Sequence, residues 1–278
     1  MTDIRGIIFH TFGETEEPLY NWLQKTNQIE WERGFPEAYK PGPKVNRPTN
    51  TGCTGKDLEK EMENRLKLYK LRFTGFKVVL IEDDLDYMPW NNCAAQETIE
   101  NRAIHAKAWL DSKYRELVPK VQNAYSNDID LVILYASPEV ETWFLADWQN
   151  GMGKICEDDM FCAALNRSLK EKLAEYYDEH IELWHYYPSS RAKLSDIIIK
   201  MIFDLQMTME DADGNIPLEG LFSMDERKRI DGSKFEYKKT NHGKHMLEDI
   251  DQEKVYEKCQ YFYRHAIDKI REIQKRNL

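Results

Sequence analysis

Val78-Val79-Leu80-Ile81-Glu82-Asp83-Asp84-Leu85-Asp86 joins a short apolar, β-branched run to four carboxylates. Such a run, ended by a polar break, predicts a buried strand with acidic side chains at its carboxyl end. Open α/β sheets bind their ligands outside that edge. Side chains alternate along a strand, so Glu82 and Asp84 share a face. Asp84-x-Asp86 sets two carboxylates close together where the strand stops. Crowded carboxylates repel one another unless a cation is shared, and an all-oxygen set suits Mg2+ or Mn2+. A solvated acidic turn is the alternative reading of the same charge run.

Outward from this segment the pattern is that of an α/β protein with a mostly parallel sheet flanked by helices. Ile4 to Thr11 predicts a first strand and Gly13 a break; Glu14 to Lys25, with acids and Pro18 early, predicts a helix. Residues 35–55 hold four prolines and three glycines, which predicts a long loop or lid. Lys56 to Leu71 predicts a charged amphipathic helix and Phe76 to Asp83 the second strand, an order that favours a parallel pair. Gln96 to Tyr125 predicts a long helix interrupted near Pro119. Ile129 to Tyr135 is apolar enough to be a central parallel strand. Ser137-Pro138-Glu139 has the order of an N-cap, a first-turn proline and an early acid, opening a helix from Val140 to Trp148. Beyond Gly151 the strand signal fades. Helices are expected over 161–180, 191–207 and 251–275, with an irregular stretch over 211–232. The expected division is an α/β core over 1–150 and a helical region over 151–278 packed on it.

Composition narrows the function classes. A net charge of -10 excludes a non-specific nucleic-acid coat, though a local basic patch, metal ions or a basic partner can still bring nucleic acid to the chain. No apolar run is long enough to span a bilayer, and Met1 to Arg5 lacks the features of a signal peptide. The five cysteines are odd in number and form no Cys-x-x-Cys pair, which points to reduced cytoplasmic thiols.

Three further constellations surround the acidic strand end. Thr11-Phe12-Gly13-Glu14-Thr15-Glu16-Glu17 follows the first strand, so Glu14 or Glu16 can complete a site with Asp84 and Asp86 if the strands are parallel neighbours. The same acids also favour a helix N-terminus, each by ~0.3–1 kcal/mol. Ser137-Pro138-Glu139-Val140-Glu141-Thr142-Trp143-Phe144-Leu145-Ala146-Asp147 brings Glu139 and Glu141 to the end of the third strand, with Trp143 and Phe144 as core aromatics. Tyr237-Lys238-Lys239-Thr240-Asn241-His242-Gly243-Lys244-His245 is basic, and Lys238, His242 and Lys244 are candidates to contact phosphates. His242-x-x-His245 lacks the acid of the zinc-peptidase pattern. No phosphate-binding P-loop, dinucleotide fingerprint or nucleophile elbow occurs.

In this order the blocks resemble the Toprim-like nucleases of prokaryotes, and among them the group called domain of unknown function family 4276, related to OLD-type and RloB-like proteins. The similarity lies in Gly13-Glu14-Thr15-Glu16, Asp84-Leu85-Asp86, and Pro138-Glu139-Val140-Glu141-Thr142-Trp143-Phe144-Leu145-Ala146-Asp147, the last being the most specific. A late block, Tyr237-Lys238-Lys239 with Gly243, Ile250-Asp251 and Val255 to Cys259, is also similar. Residues 151–234 match weakly. The resemblance implies a Toprim-like sheet and Mg2+- or Mn2+-dependent hydrolysis of DNA or RNA phosphodiesters. Glu16, Asp84, Asp86 and Glu141 would hold the metal. Glu14 would transfer a proton, and Lys239 would stabilise charge on the phosphate. It further implies a cytoplasmic effector of prokaryotic antiphage defence, working with an AAA- or ABC-type ATPase and compatible with a homo-oligomer. One departure stands out: Phe12 occupies a position where this family carries glutamate. An inactive interaction or sensor module, or a small-molecule phosphatase, are the competing expectations.

Overall fold

β1 (Ile4–His10) lies between two parallel neighbours, β2 (Ile29–Phe35) and β3 (Phe76–Asp84), and β4 (Asp130–Ala136) pairs with the far side of β3. The order β2-β1-β3-β4 makes an all-parallel, four-stranded sheet. The computed structural model describes residues 4–11, 17–26, 28–35, 54–72, 75–85, 97–156, 159–184, 193–210, 237 and 239–277. The candidate residues Glu14, Glu16, Asp86 and Lys238, residues 36–53 of the expected lid over 35–55 and the irregular stretch over 211–232 lie outside them, while Phe35 ends β2 and Gly55 opens α2 (Gly55–Arg72).

β2 is left unassigned by the sequence pattern, although Ile29 and Trp31 alternate with charged residues. They point inward while Glu30 and Glu32 meet Arg5 of β1 across the strand. Charges on a sheet edge discourage pairing with another chain. Gly6 is required opposite Trp31, because a Cβ there would enter the indole ring. Gly34 sits at the bulge where Ile8 pairs with Arg33 but Phe9 with Phe35, and a Cβ on it would come within 2.7 Å of the Phe9 ring.

Strand alternation divides the core. Ile8, Val78, Leu80, Val132 and Leu134 face α1 (Glu17–Thr26) and the helices of the second half. Ile7, Phe9, Val79, Ile81, Leu131 and Ile133 face α2 (Gly55–Arg72) and α3 (Ile99–Ala124). The second half supplies α4 (Glu141–Ala146), α5 (Asp159–Leu173), α6 (Tyr176–Glu179), α7 (Leu194–Glu210), α8 (Lys239–Asp249), α9 (Gln252–Lys258) and α10 (Tyr263–Arg276).

Several expected elements differ. β4 is the last strand rather than a central one, yet it is buried because α3 and α10 cover it. Its outward Ile133 N–H donates to the Tyr114 hydroxyl at 3.1 Å, so the edge is satisfied from within the chain at this residue. α3 runs through Pro119 without interruption: Pro119 is exposed, and Leu117 and Val121 anchor the helix on either side. Ser137 is not an N-cap. Its hydroxyl donates to the Glu182 carbonyl, and α4 ends already at Ala146. The helix expected over 161–180 breaks at Ala174, whose φ is 48°. The helix expected over 251–275 is two, α9 and α10, divided around residues 259–262.

Candidate acidic site at the carboxyl edge of the sheet

The chain leaves β1 toward β2 through α1 on one face, and reaches β3 and then β4 through α2 and α3 on the other. The winding therefore reverses between β1 and β3. Ligand crevices of open α/β sheets form outside the carboxyl ends of strands at such a switch point. Here those ends carry His10, Thr11, Glu82, Asp83 and Asp84.

His10 pairs in register with Glu82, and both follow Ile8 and Leu80 on the face of the second-half helices. His10 Nδ1 lies 2.8 Å from the Thr11 carbonyl. A carbonyl only accepts, so Nδ1 carries a proton and donates it in this contact. The Thr11 hydroxyl donates to Glu82 at 3.4 Å. Asp84 is on the same face as Glu82, and its Oδ1 accepts the Val140 N–H at 3.1 Å. Asp83 faces the other way and accepts the Gly55 N–H at 2.5 Å, capping α2. Gly55 has φ +57°, a left-handed conformation that suits glycine. Of the three consecutive acids, Asp83 thus caps α2, while Glu82 and Asp84 share the opposite face of the strand end.

The segment after β4 brings two more acids. Glu139 is buried and accepts both the backbone N–H and the hydroxyl of Ser195, at 3.0 and 2.9 Å, with Lys193 Nζ at 3.6 Å. It therefore caps α7, a helix distant in sequence. Glu141 is wholly buried and accepts the Tyr237 hydroxyl at 2.7 Å. Burial pushes the Tyr237 phenol far above its ordinary range, and the charges of Glu141, Glu139 and Asp84 push it further. The His242 ring stacks on Tyr237, with centroids 6.2 Å apart. Asp147 closes the motif but serves α9. Its burial opposes ionisation, yet the Asp251 N–H, Asn150 and Lys254 outweigh it and hold the carboxyl below its usual value.

Asp84 and Glu141 thus come to one edge, with His242 stacked on Tyr237 beside Glu141. Lys239 opens α8, and Lys244 is exposed on it. Among the described residues, no three His, Cys, Asp or Glu side chains form a group able to hold a metal ion. His10, Tyr237 and Ser195 belong to the edge but escaped the sequence reading. His10 has the signal of ending an alternating strand one register from an acid. Tyr237 lies inside a block whose charge and family resemblance give the tyrosine itself no role, and Ser195 has no signal at all. Comparison with protein-family models, with curated proteins and with solved structures finds no match to this chain.

Proposed function

We propose that the chain is a metal-dependent phosphodiesterase acting on nucleic acid, with its site at the crevice between the carboxyl ends of β1, β3 and β4. The observation that carries this reading is that Asp84 at the end of β3 accepts the Val140 N–H, directly beside Glu141, whose buried carboxylate accepts the Tyr237 hydroxyl. Asp84 and Glu141 offer hard oxygen donors of the kind Mg2+ or Mn2+ takes. Two donors do not make a site, and Glu16 and Asp86 are the residues proposed to complete it. When bound, such an ion polarises the phosphoryl group and makes water a better nucleophile. Of the chain's own groups, Glu14 moves the proton and Lys239 neutralises developing charge on the phosphate. Lys238, His242 and Lys244 hold the backbone of the substrate. The family resemblance is what suggests an ATPase partner in a defence role, and with a net charge of -10 such a partner would help retain nucleic acid.

A second reading, a binding module without turnover, is favoured by Phe12 and by the protein donors that Asp84 and Glu141 already accept. The deciding experiment incubates the purified chain with plasmid DNA and with RNA, in Mn2+, Mg2+ or EDTA. Cleavage that needs metal and disappears in Asp84→Asn and Glu141→Gln is expected. No cleavage of either polymer, with tight binding to an ATPase instead, would establish the second reading.

A further inference from the structure

Arg102 stands in the first turn of α3, the helix that follows the acidic end of β3, and it is only 4% exposed. Its Nη1 donates to the Leu183 carbonyl at 3.0 Å, and its guanidinium lies 5.2 Å from the centroid of the Tyr176 ring. Among the described residues its buried Nε has no acceptor. A desolvated cation is costly unless an anion or several acceptors compensate. The bond to Leu183 uses one end of the guanidinium. The side formed by Nε and Nη2 is the planar fork that receives two oxygens of a carboxylate or phosphate.

The position of this fork is informative. Leu183 follows Glu182, whose carbonyl accepts the Ser137 hydroxyl at 2.7 Å, and Ser137 directly follows β4. Arg102 is thereby tied to the same carboxyl edge as Asp84 and Glu139. The N-terminus of α3, capped by Thr98 through the Asn101 N–H, adds partial positive charge beside it. A strut between α3 and the 181–183 turn would need only Nη1 and the stacking face.

We infer that Arg102 binds a phosphate group through its Nε and Nη2 edge, and that the phosphate belongs to a polynucleotide backbone. The choice of polynucleotide rests on the function proposed above; the anion fork itself does not. Arg102, rather than the exposed Lys244 of α8, is then the main phosphate anchor of the edge. Two measurements on the full chain test this, both in EDTA, so that they read binding whether or not the chain cuts. In the wild-type protein the Arg102 Nε–H resonance is followed during titration with inorganic phosphate, and a downfield shift is expected. Fluorescence anisotropy with a labelled oligonucleotide is compared between wild type, Arg102→Lys and Arg102→Gln. Both variants are expected to bind roughly tenfold or more weakly, because lysine keeps the charge but not the fork. A phosphate shift without any loss of oligonucleotide affinity would support the fork and assign it to free phosphate, overturning the polynucleotide source. A silent Nε–H together with unchanged binding in Arg102→Lys would overturn the inference. The resonance is read on the unmutated protein, so a variant that fails to fold does not obscure the result.

Discussion

Glu182 shows how a single buried acid organises distant chain. Its carboxylate accepts the backbone N–H groups of Tyr261, Phe262 and Tyr263, the unsatisfied donors at the start of α10. Complete burial pushes its pKa up to about 7, against the lowering effect of those three N–H groups. An acid raised in this way stays protonated in the fold at pH values where the unfolded chain has released its proton. Its contribution therefore makes the fold lose stability as pH climbs from about 4.5 to about 7, by on the order of 3 kcal/mol. Urea midpoints across that range should show this slope in wild type and a flatter profile in Glu182→Gln, whose overall stability is lower because an amide N–H2 faces backbone donors. The pair formed by Tyr237 and Glu141 makes a second prediction. Tyr237→Phe removes a donor from a buried carboxylate, at an expected cost of about 1–3 kcal/mol in thermal unfolding.

At the scale of elements, the breaks in helices are better explained by partners than by local sequence. α5 ends with Ala174 in the left-handed region, where a Cβ is unfavourable and glycine is the usual residue. Ala174→Gly should therefore raise the melting temperature slightly, by an amount equivalent to a few tenths to about 1 kcal/mol. A lower melting temperature would show that chain entropy outweighs the strain. Gly6 gives the opposite expectation: Gly6→Ala drives a methyl into Trp31 and against Ile29 Cγ2 at 2.9 Å. Overpacking of this kind typically costs about 1–3 kcal/mol, measurable as a fall in the denaturant midpoint. The division between α9 and α10 has the same origin as the Glu182 bonds, since the N–H groups freed at the break find their acceptor on the 181–183 turn.

For the whole molecule, the last helix is structural cover for the sheet. Tyr263, Ala266, Ile267, Ile270 and Ile273 of α10 are buried in the core beside Val132 and Leu134 of β4, and Arg276 pairs with Asp130 at 2.8 Å. A chain ending at residue 258 is expected to lose cooperative unfolding, as followed by circular dichroism, because one face of β4 would meet water; retention of a sharp transition would contradict this. The strands over 4–10, 76–84 and 130–136 were legible from their apolar runs, since burial on both faces needs continuous hydrophobicity. β2 was not, because an edge strand mixes charge with apolar residues and resembles a loop. Acidity at the strand ends was likewise visible in the sequence, including the shared face of Glu82 and Asp84, which follows from a period of two. What a given carboxylate does was not. Asp83 caps α2, Glu139 caps α7, Glu141 meets Tyr237 and Glu182 caps α10. Each of these partners lies tens of residues away, and a long-range hydrogen bond leaves no periodic trace in the chain. Local pattern thus determined which segments are strands and helices and that acids end them. Only the packing of distant segments decided which partner each acid takes, and so which acids hold the fold together.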